Sequence, residues 1–339
     1  MRIGRYDLKH IWLAMAAAVL LPSAAVAADQ VKVSVYQSVS DAGIYIAIDK
    51  GYFAEQNISV ETTQLDSVSA VVTALASGQV DVAGGAPSAA IYNATRQGIG
   101  IKIVADKGSM QAGAGYIGLV ARSAVADQIK SPADLKGRNV ALAGSGVGTT
   151  NEVAWAEMAK TAGLKDGEVT LQNLSFGDSV AALASGSVDA AYLIEPLMQS
   201  AEQKGIGKLF LTGDRMYPNQ QVAVLLFGPD FAVKRKDVAD RFMVAYLKGV
   251  RDYNNAFRKN IDRAAIAAIL SKNTTVKSLP LYDKMIMPGL DPDGKVNAAG
   301  MANDMRWFLS KGYLKEEVDV TKAIDTSFAE AAVKKLGSY

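Results

Sequence analysis

Three glycines followed by two threonines make Gly144-Ser145-Gly146-Val147-Gly148-Thr149-Thr150 the segment of this chain best suited to chemistry. Glycines let a ligand approach the backbone N–H groups, and threonines at a helix start add hydroxyl donors. Together they form a cradle for a sulfonate, carboxylate or phosphate. The same residues also make an ordinary strand-to-helix turn with a threonine cap. A dinucleotide site is disfavoured, because the spacing is G-x-G-x-x-T and the next strand ends at Gln172-Asn173 where an acid is needed. A P-loop is excluded, since no Gly-Lys-Ser/Thr follows.

Other candidates sit where strands should give way to helices, the place where open α/β sheets bind ligands. Gln37, Ser40 and Asp41 follow the first strand. Ser88 opens a helix and is small enough to let a ligand near. Lys107 follows the fourth strand; it is the best-placed cation of its half, with a solvated surface lysine as the competing reading. Glu195 precedes Pro196, where it either caps a helix or meets an amine or hydroxyl. Tyr116, Tyr192 and Tyr217 are placed to stack on a flat ligand or to fill the core.

What is missing excludes more. The single histidine is His10, and cysteine is absent. Ser-His-Asp triads, cysteine nucleophiles and nearly all zinc or iron sites are therefore ruled out beyond residue 10. No metal and no cofactor is expected.

Residues 1–27 have the pattern of a secretory signal. Arg2, Arg5 and Lys9 precede an apolar run over 11–21, and Ala25-Val26-Ala27 fits the small-x-small rule, so cleavage is expected after Ala27. The apolar run is short for a bilayer, which needs ~20 residues. Those three basic residues against Asp7 account for the whole formal charge of +2. The remainder is balanced and gives no sign of nucleic-acid binding.

The elements that must position these residues come in two sets. Ala-Leu-Ala-Ser-Gly-Gln-Val-Asp-Val-Ala at 74–83 returns as Ala-Leu-Ala-Ser-Gly-Ser-Val-Asp-Ala-Ala at 182–191. Each copy reads as a helix end, a glycine cap and a short strand. Strands are expected at 31–36, 58–62, 80–83 and 101–105, then at 140–143, 169–171, 188–193 and 209–211. Helices are expected between them at 41–56, 67–77, from Pro87, at 149–162, 178–185 and from Glu195-Pro196. This alternation predicts an α/β fold of two lobes with mostly parallel sheets. Residues 116–121 and 221–227 read as two crossover strands. The tail is helical at 236–259, 262–271, 275–285, 295–311 and 321–335, and would return to pad the first lobe. The expected division is 28–117 with 225–339 as lobe 1, and 118–224 as lobe 2.

Ala42-Gly43-Ile44-Tyr45-Ile46-Ala47-Ile48-Asp49-Lys50-Gly51-Tyr52-Phe53 and Asn57-Ile58-Ser59-Val60-Glu61 form one recognisable pair of motifs. Both Leu-Ala-Ser-Gly-x-Val-Asp stretches, Ser131-Pro132-Ala133-Asp134-Leu135-Lys136-Gly137 and Glu195-Pro196 are others. In this order they resemble the solute-binding proteins of nitrate/sulfonate/taurine-type ABC importers, a group that includes thiamine-pyrimidine binders. The resemblance implies a type II periplasmic-binding fold, a small ligand trapped between lobes, and delivery to a permease with its ATPase. It implies a periplasmic, monomeric receptor rather than an enzyme. Two other readings stay open: an exported enzyme on the same fold, and a sensor reporting to a membrane kinase. The ligand implied is a small organic anion, with a neutral heterocycle as the alternative. The histidine and cysteine-rich motif of the family's pyrimidine-making enzymes are absent here.

Overall fold

A computed structural model describes residues 1, 27–65, 67–143 and 148–339. The leader reading over residues 1–27 and the ligand role of Gly146 thus fall outside the described residues. Among them, no helix is long and apolar enough to cross a membrane.

Ten strands form two five-stranded sheets. The first holds β1 (Asp29–Val35), β2 (Ile58–Gln64), β3 (Val82–Gly85), β4 (Lys102–Ser109) and β10 (Gln221–Phe227). The second holds β5 (Ile117–Arg122), β6 (Asn139–Ala143), β7 (Thr170–Leu174), β8 (Ala190–Ile194) and β9 (Gly207–Thr212). Their orders are β2-β1-β3-β10-β4 and β7-β6-β8-β5-β9. These are one topology written twice. In each sheet three parallel strands are followed by an antiparallel strand, β10 or β5, which pairs with the last strand on its other side. Both antiparallel strands are the segments that enter a lobe from the other one. The fold is periplasmic-binding-protein-like, with helices 236–259 and 327–336 of the tail packed against the first sheet.

Helices α1 (Ala42–Asp49), α2 (Tyr52–Glu55), α3 (Val68–Ala76) and α4 (Ala89–Arg96) lie between the first strands. In the second half come α5 (Thr150–Thr161), α6 (Phe176–Ser185), α7 (Leu197–Gln203) and α8 (Gly213–Met216). The tail holds α9 (Pro229–Lys234), α10 (Lys236–Lys259), α11 (Arg263–Asn273), α12 (Ala298–Ser310) and α13 (Ser327–Leu336).

The internal repeat occupies equivalent places, with α3 leading to β3 and α6 to β8. Its aspartates do the same work. Asp81 accepts the amide of Lys32 at 2.9 Å, and Asp189 accepts that of Asn139 at 3.1 Å. Each also pairs with an arginine, Arg235 or Arg122. The repeated acid ties a loop to the neighbouring strand and is remote from ligand chemistry.

Several expectations need correction. The helix expected over 41–56 is broken at Gly51, whose φ of 76° ends α1. The segment 275–285 forms only a short 3-10 turn, Leu279–Asp283, because Pro280 withholds an amide. Pro87 precedes α4 rather than opening it. The fourth strand runs on to Ser109, which places Lys107 inside it.

The larger core lies between the first sheet, α1 and α10. Phe53, Phe227, Phe231, Phe242 and Phe328 meet there with ring centroids 4.7–6.2 Å apart, which favours edge-to-face packing. A smaller cluster crosses between lobes. It joins Ala89 and Tyr92 of α4, Val153 of α5, and Met305 and Phe308 of α12.

Candidate functional site

The first wall of the site is the turn that leaves β1. Gln37 adopts a left-handed conformation (φ 53°), and its carbonyl accepts the amide of Thr275 from the tail. Asp41 precedes α1 but does not cap it. Its carboxylate turns back, and Oδ2 accepts the amides of Tyr36 and Ser38, both at 3.0 Å. Its other oxygen lies 2.7 Å from Nζ of Lys107. Both side chains are buried, at 0 % and 1 % exposure. Nζ also donates to Ser40 Oγ at 3.0 Å. The solvated reading of Lys107 is therefore overturned. The lysine crosses over Gly84, where a Cβ would collide with its Cε. Glycine is needed at 84 for close approach rather than for an unusual φ.

The second wall is built by the second lobe. Thr149 is the N-cap residue of α5, and Glu152 supplies the acid of a capping box. Oε2 of Glu152 accepts the amide of Gly148 at 2.6 Å and that of Thr149 at 3.4 Å. Two amides expected to hold a ligand anion thus already serve a carboxylate of the chain itself. The hydroxyl-bearing Thr149 and Thr150 still face the cavity. Glu195 lies ahead of α7. Its Oε2 accepts the amide of Gln199 at 3.2 Å, the capping contact expected of it. Its Oε1 accepts the amide of Ile286, from the tail, at 3.0 Å. Burial pushes the Glu195 carboxyl up to about 7, above the ordinary carboxylate range.

Between these walls lies a cavity of about 530 Å³. Gln37, Ser40, Lys107, Tyr116, Thr149, Thr150 and Glu195 all line it. Asp41 stands behind Lys107 rather than on the wall. Ser88 is buried as the N-cap residue of α4, outside the wall, and its hydroxyl has no hydrogen-bond partner among the described residues. Tyr192 is wholly buried inside β8, where strand alternation turns it into the core of the second lobe. Tyr217 sits near the return crossover and donates to Asp304 of α12 at 2.8 Å. Ser88 and Tyr192 satisfied the loop rule and Tyr217 lay near a crossover, but none of the three is on the cavity wall.

The apolar part of the wall was missed by sequence reading. It includes Tyr36, Val68, Phe176, Leu197, Val222 and Val276. Tyr36 borders the turn at 37–41 and Phe176 lies in the turn at 175–178 after β7, so both were findable as aromatics at strand-to-helix turns. Thr275 and Val276 had no such signal, because they come from a tail segment taken for helix. Among the described residues no group of three or more His, Asp or Glu is placed to hold a metal ion.

Two sheets of the same order with a lined cavity between them define a periplasmic-binding-protein-like molecule. The model of the NMT1/THI5-like family matches residues 39–256, and the chain belongs to that family. It is similar to the taurine-binding periplasmic protein of Escherichia coli (strain K12), with 26 % identity over 221 residues. That match spans 64 % of this chain and 65 % of the relative's length. Among solved structures it resembles the periplasmic aliphatic sulphonate binding protein SsuA from Escherichia coli. The TM-score is 0.71 at 18 % identity, covering 89 % of this chain and 99 % of that one. It also resembles the periplasmic nitrate-binding protein NrtA from Synechocystis PCC 6803. There the TM-score is 0.73 at 16 % identity, covering 91 % and 89 %.

Proposed function

We propose that this protein is the periplasmic solute-binding component of an ABC importer, exported by a leader cleaved after Ala27. It acts as a monomer without catalysis, traps a small organic anion between two lobes and presents it to a permease with its ATPase. The lobes that close are 28–117 with 225–339, and 118–224. The observation that carries this reading is the cavity itself. It lies between two equivalent sheets, and both lobes and the tail contribute to its wall. Aromatic and aliphatic side chains cover most of it, and its polar lining includes Lys107, Ser40, Thr149, Thr150 and Glu195. Such a wall suits an aliphatic or aromatic sulfonate or carboxylate, with the acidic head at the hydroxyls and lysine and the body against Tyr36, Tyr116 and Phe176. The names of the similar proteins, binders of taurine, sulphonates and nitrate, support the same class.

One observation favours a second ligand class. Asp41 already pairs with Lys107, so among the described residues no unpaired cation on the wall calls for an anion, and a neutral heterocycle such as a thiamine-precursor pyrimidine suits it as well. A thermal-shift screen of alkyl and aryl sulfonates, aromatic acids, pyrimidines and nitrate separates the two. A ligand at 100 times its Kd adds ~2.7 kcal/mol to stability. Stabilisation by an acid but not by its amide supports the anion. If no compound stabilises the protein, the receptor reading fails.

A further inference from the structure

The charge inventory of the cavity is unusual for an anion site. Among the described residues, Lys107 is the only lysine or arginine on its wall. It is paired with Asp41 at 2.7 Å, and both groups are buried. The amides of Gly148 and Thr149 are held by Glu152. Glu195 stands on the wall contributed by the other lobe, with one backbone amide on each oxygen. When Glu195 is ionised, Asp41, Lys107 and Glu195 together carry one negative charge. An entering anion would make two, and like charges shielded from water repel strongly.

We infer that an anionic ligand enters together with a proton on Glu195, so that this residue sets both the ligand charge the cavity accepts and the pH range of binding. The inference rests on the anion-receptor reading above. The proton comes from solvent and goes to one carboxyl oxygen; the other oxygen keeps an amide. Protonation gives the carboxyl an O–H donor, and the carboxyl no longer repels the acid. Burial already holds Glu195 in the right range, with its carboxyl up to about 7.

Other ionisable groups stand around Glu195. Glu202, further along its own helix, raises the Glu195 carboxyl through like charge. Tyr116, whose carbonyl accepts the Glu195 amide, is a buried phenol pushed well above its ordinary value. The tail contributes Met285, Ile286 and Met287, with Lys284 exposed just before them. Asp178 on α6 is exposed. Lys107 and Asp41 form the closed pair described above.

Sulfonates give a clean test, because the probe itself stays ionised across the range. Benzenesulfonate and butanesulfonate are titrated calorimetrically into the whole exported protein at pH 6, 7 and 8. Each pH is run in two buffers of different ionisation enthalpy. Binding should take up close to one proton at pH 8. Affinity should fall about twofold from pH 6 to 7 and about fivefold more by pH 8, roughly tenfold in all. Glu195→Gln should flatten the profile and abolish the uptake. Binding with no proton uptake and no pH slope overturns the inference and leaves the receptor reading intact. A slope that persists in Glu195→Gln also overturns it. If neither sulfonate binds at any pH while a pyrimidine does, the anion reading falls and the proton linkage falls with it. Should Glu195→Gln not fold, the proton count of the unaltered protein decides alone.

Discussion

The turn that leaves β1 and the turn that enters α5 meet the same problem and solve it differently. Each is a strand-to-helix turn with free amides at the edge of the cavity. Each uses a carboxylate of its own chain to hold those amides, Asp41 on Tyr36 and Ser38, and Glu152 on Gly148 and Thr149. Asp41 is fully buried and carries its own counter-ion, Lys107. Glu152 is partly exposed, and among the described residues its second oxygen meets the hydroxyl of Tyr313, at 3.4 Å. A strand-to-helix turn is therefore an anion site only as far as the chain leaves its donors unclaimed. Here the ligand is left with hydroxyls, one shared lysine and an apolar wall.

Removing each acid tests that contrast. Asp41→Ala leaves a buried lysine without its partner, and breaking a buried pair costs about 3–5 kcal/mol. Glu152→Ala removes only a capping contact and should cost about 1 kcal/mol. Urea unfolding of both variants makes the comparison, and equal losses would break it.

Asp304 sharpens the point, because it is buried without any cation partner among the described residues. Burial pushes its carboxyl up to about 7 from 3.8, although the Tyr217 hydroxyl opposes the shift. The folded form thus holds the proton more tightly than the unfolded chain. Its destabilising effect is absent below the ordinary value and grows as pH rises to about 7. Asp304→Asn should stabilise by about 1–3 kcal/mol at pH 8 and by little at pH 4. A gain of the same size at both pH values would contradict the burial account.

Gly84→Ala probes the same lysine from the other side. The added methyl pushes Lys107 off its path, and such overpacking costs about 1–3 kcal/mol. It should also weaken acid ligands, since the ammonium moves. Unaltered stability and binding would mean that the lysine has room to spare.

Much of the fold was legible because it rests on local signals. The Leu-Ala-Ser-Gly-x-Val-Asp repeat marks two equivalent helix–strand units, and both glycines cap their helices with positive φ. The long helix Lys236–Lys259 and the strand Gln221–Phe227 were read with their observed bounds. The site was legible by loop but not by side chain. Lys107 looked solvated because nothing in Lys-Ile-Val-Ala-Asp-Lys-Gly-Ser reveals that Asp41, far away in sequence, will lie against it. Glu152 was overlooked as a competitor for the Gly148 and Thr149 amides, although a capping box has a sequence signature. Tyr192 was drawn in by its loop and Tyr217 by the nearby crossover, yet strand alternation buries one and Asp304 claims the other. Val276 was invisible, because the tail reaches the cavity only through tertiary packing.

The central claim is that the cavity between the lobes holds the acidic head of a small organic ligand at Lys107 and Thr149. Calorimetry with the best sulfonate or carboxylate from the screen, on the unaltered protein and on Thr149→Val and Lys107→Met, tests it most directly. A hydrogen bond to a charged group is worth ~1.5–3 kcal/mol. Thr149→Val should therefore weaken binding by about ten- to a hundredfold, while the lost helix cap costs only about 1 kcal/mol of stability. Lys107→Met should weaken it at least as much. Unchanged affinity in both variants would place the ligand elsewhere and contradict the account.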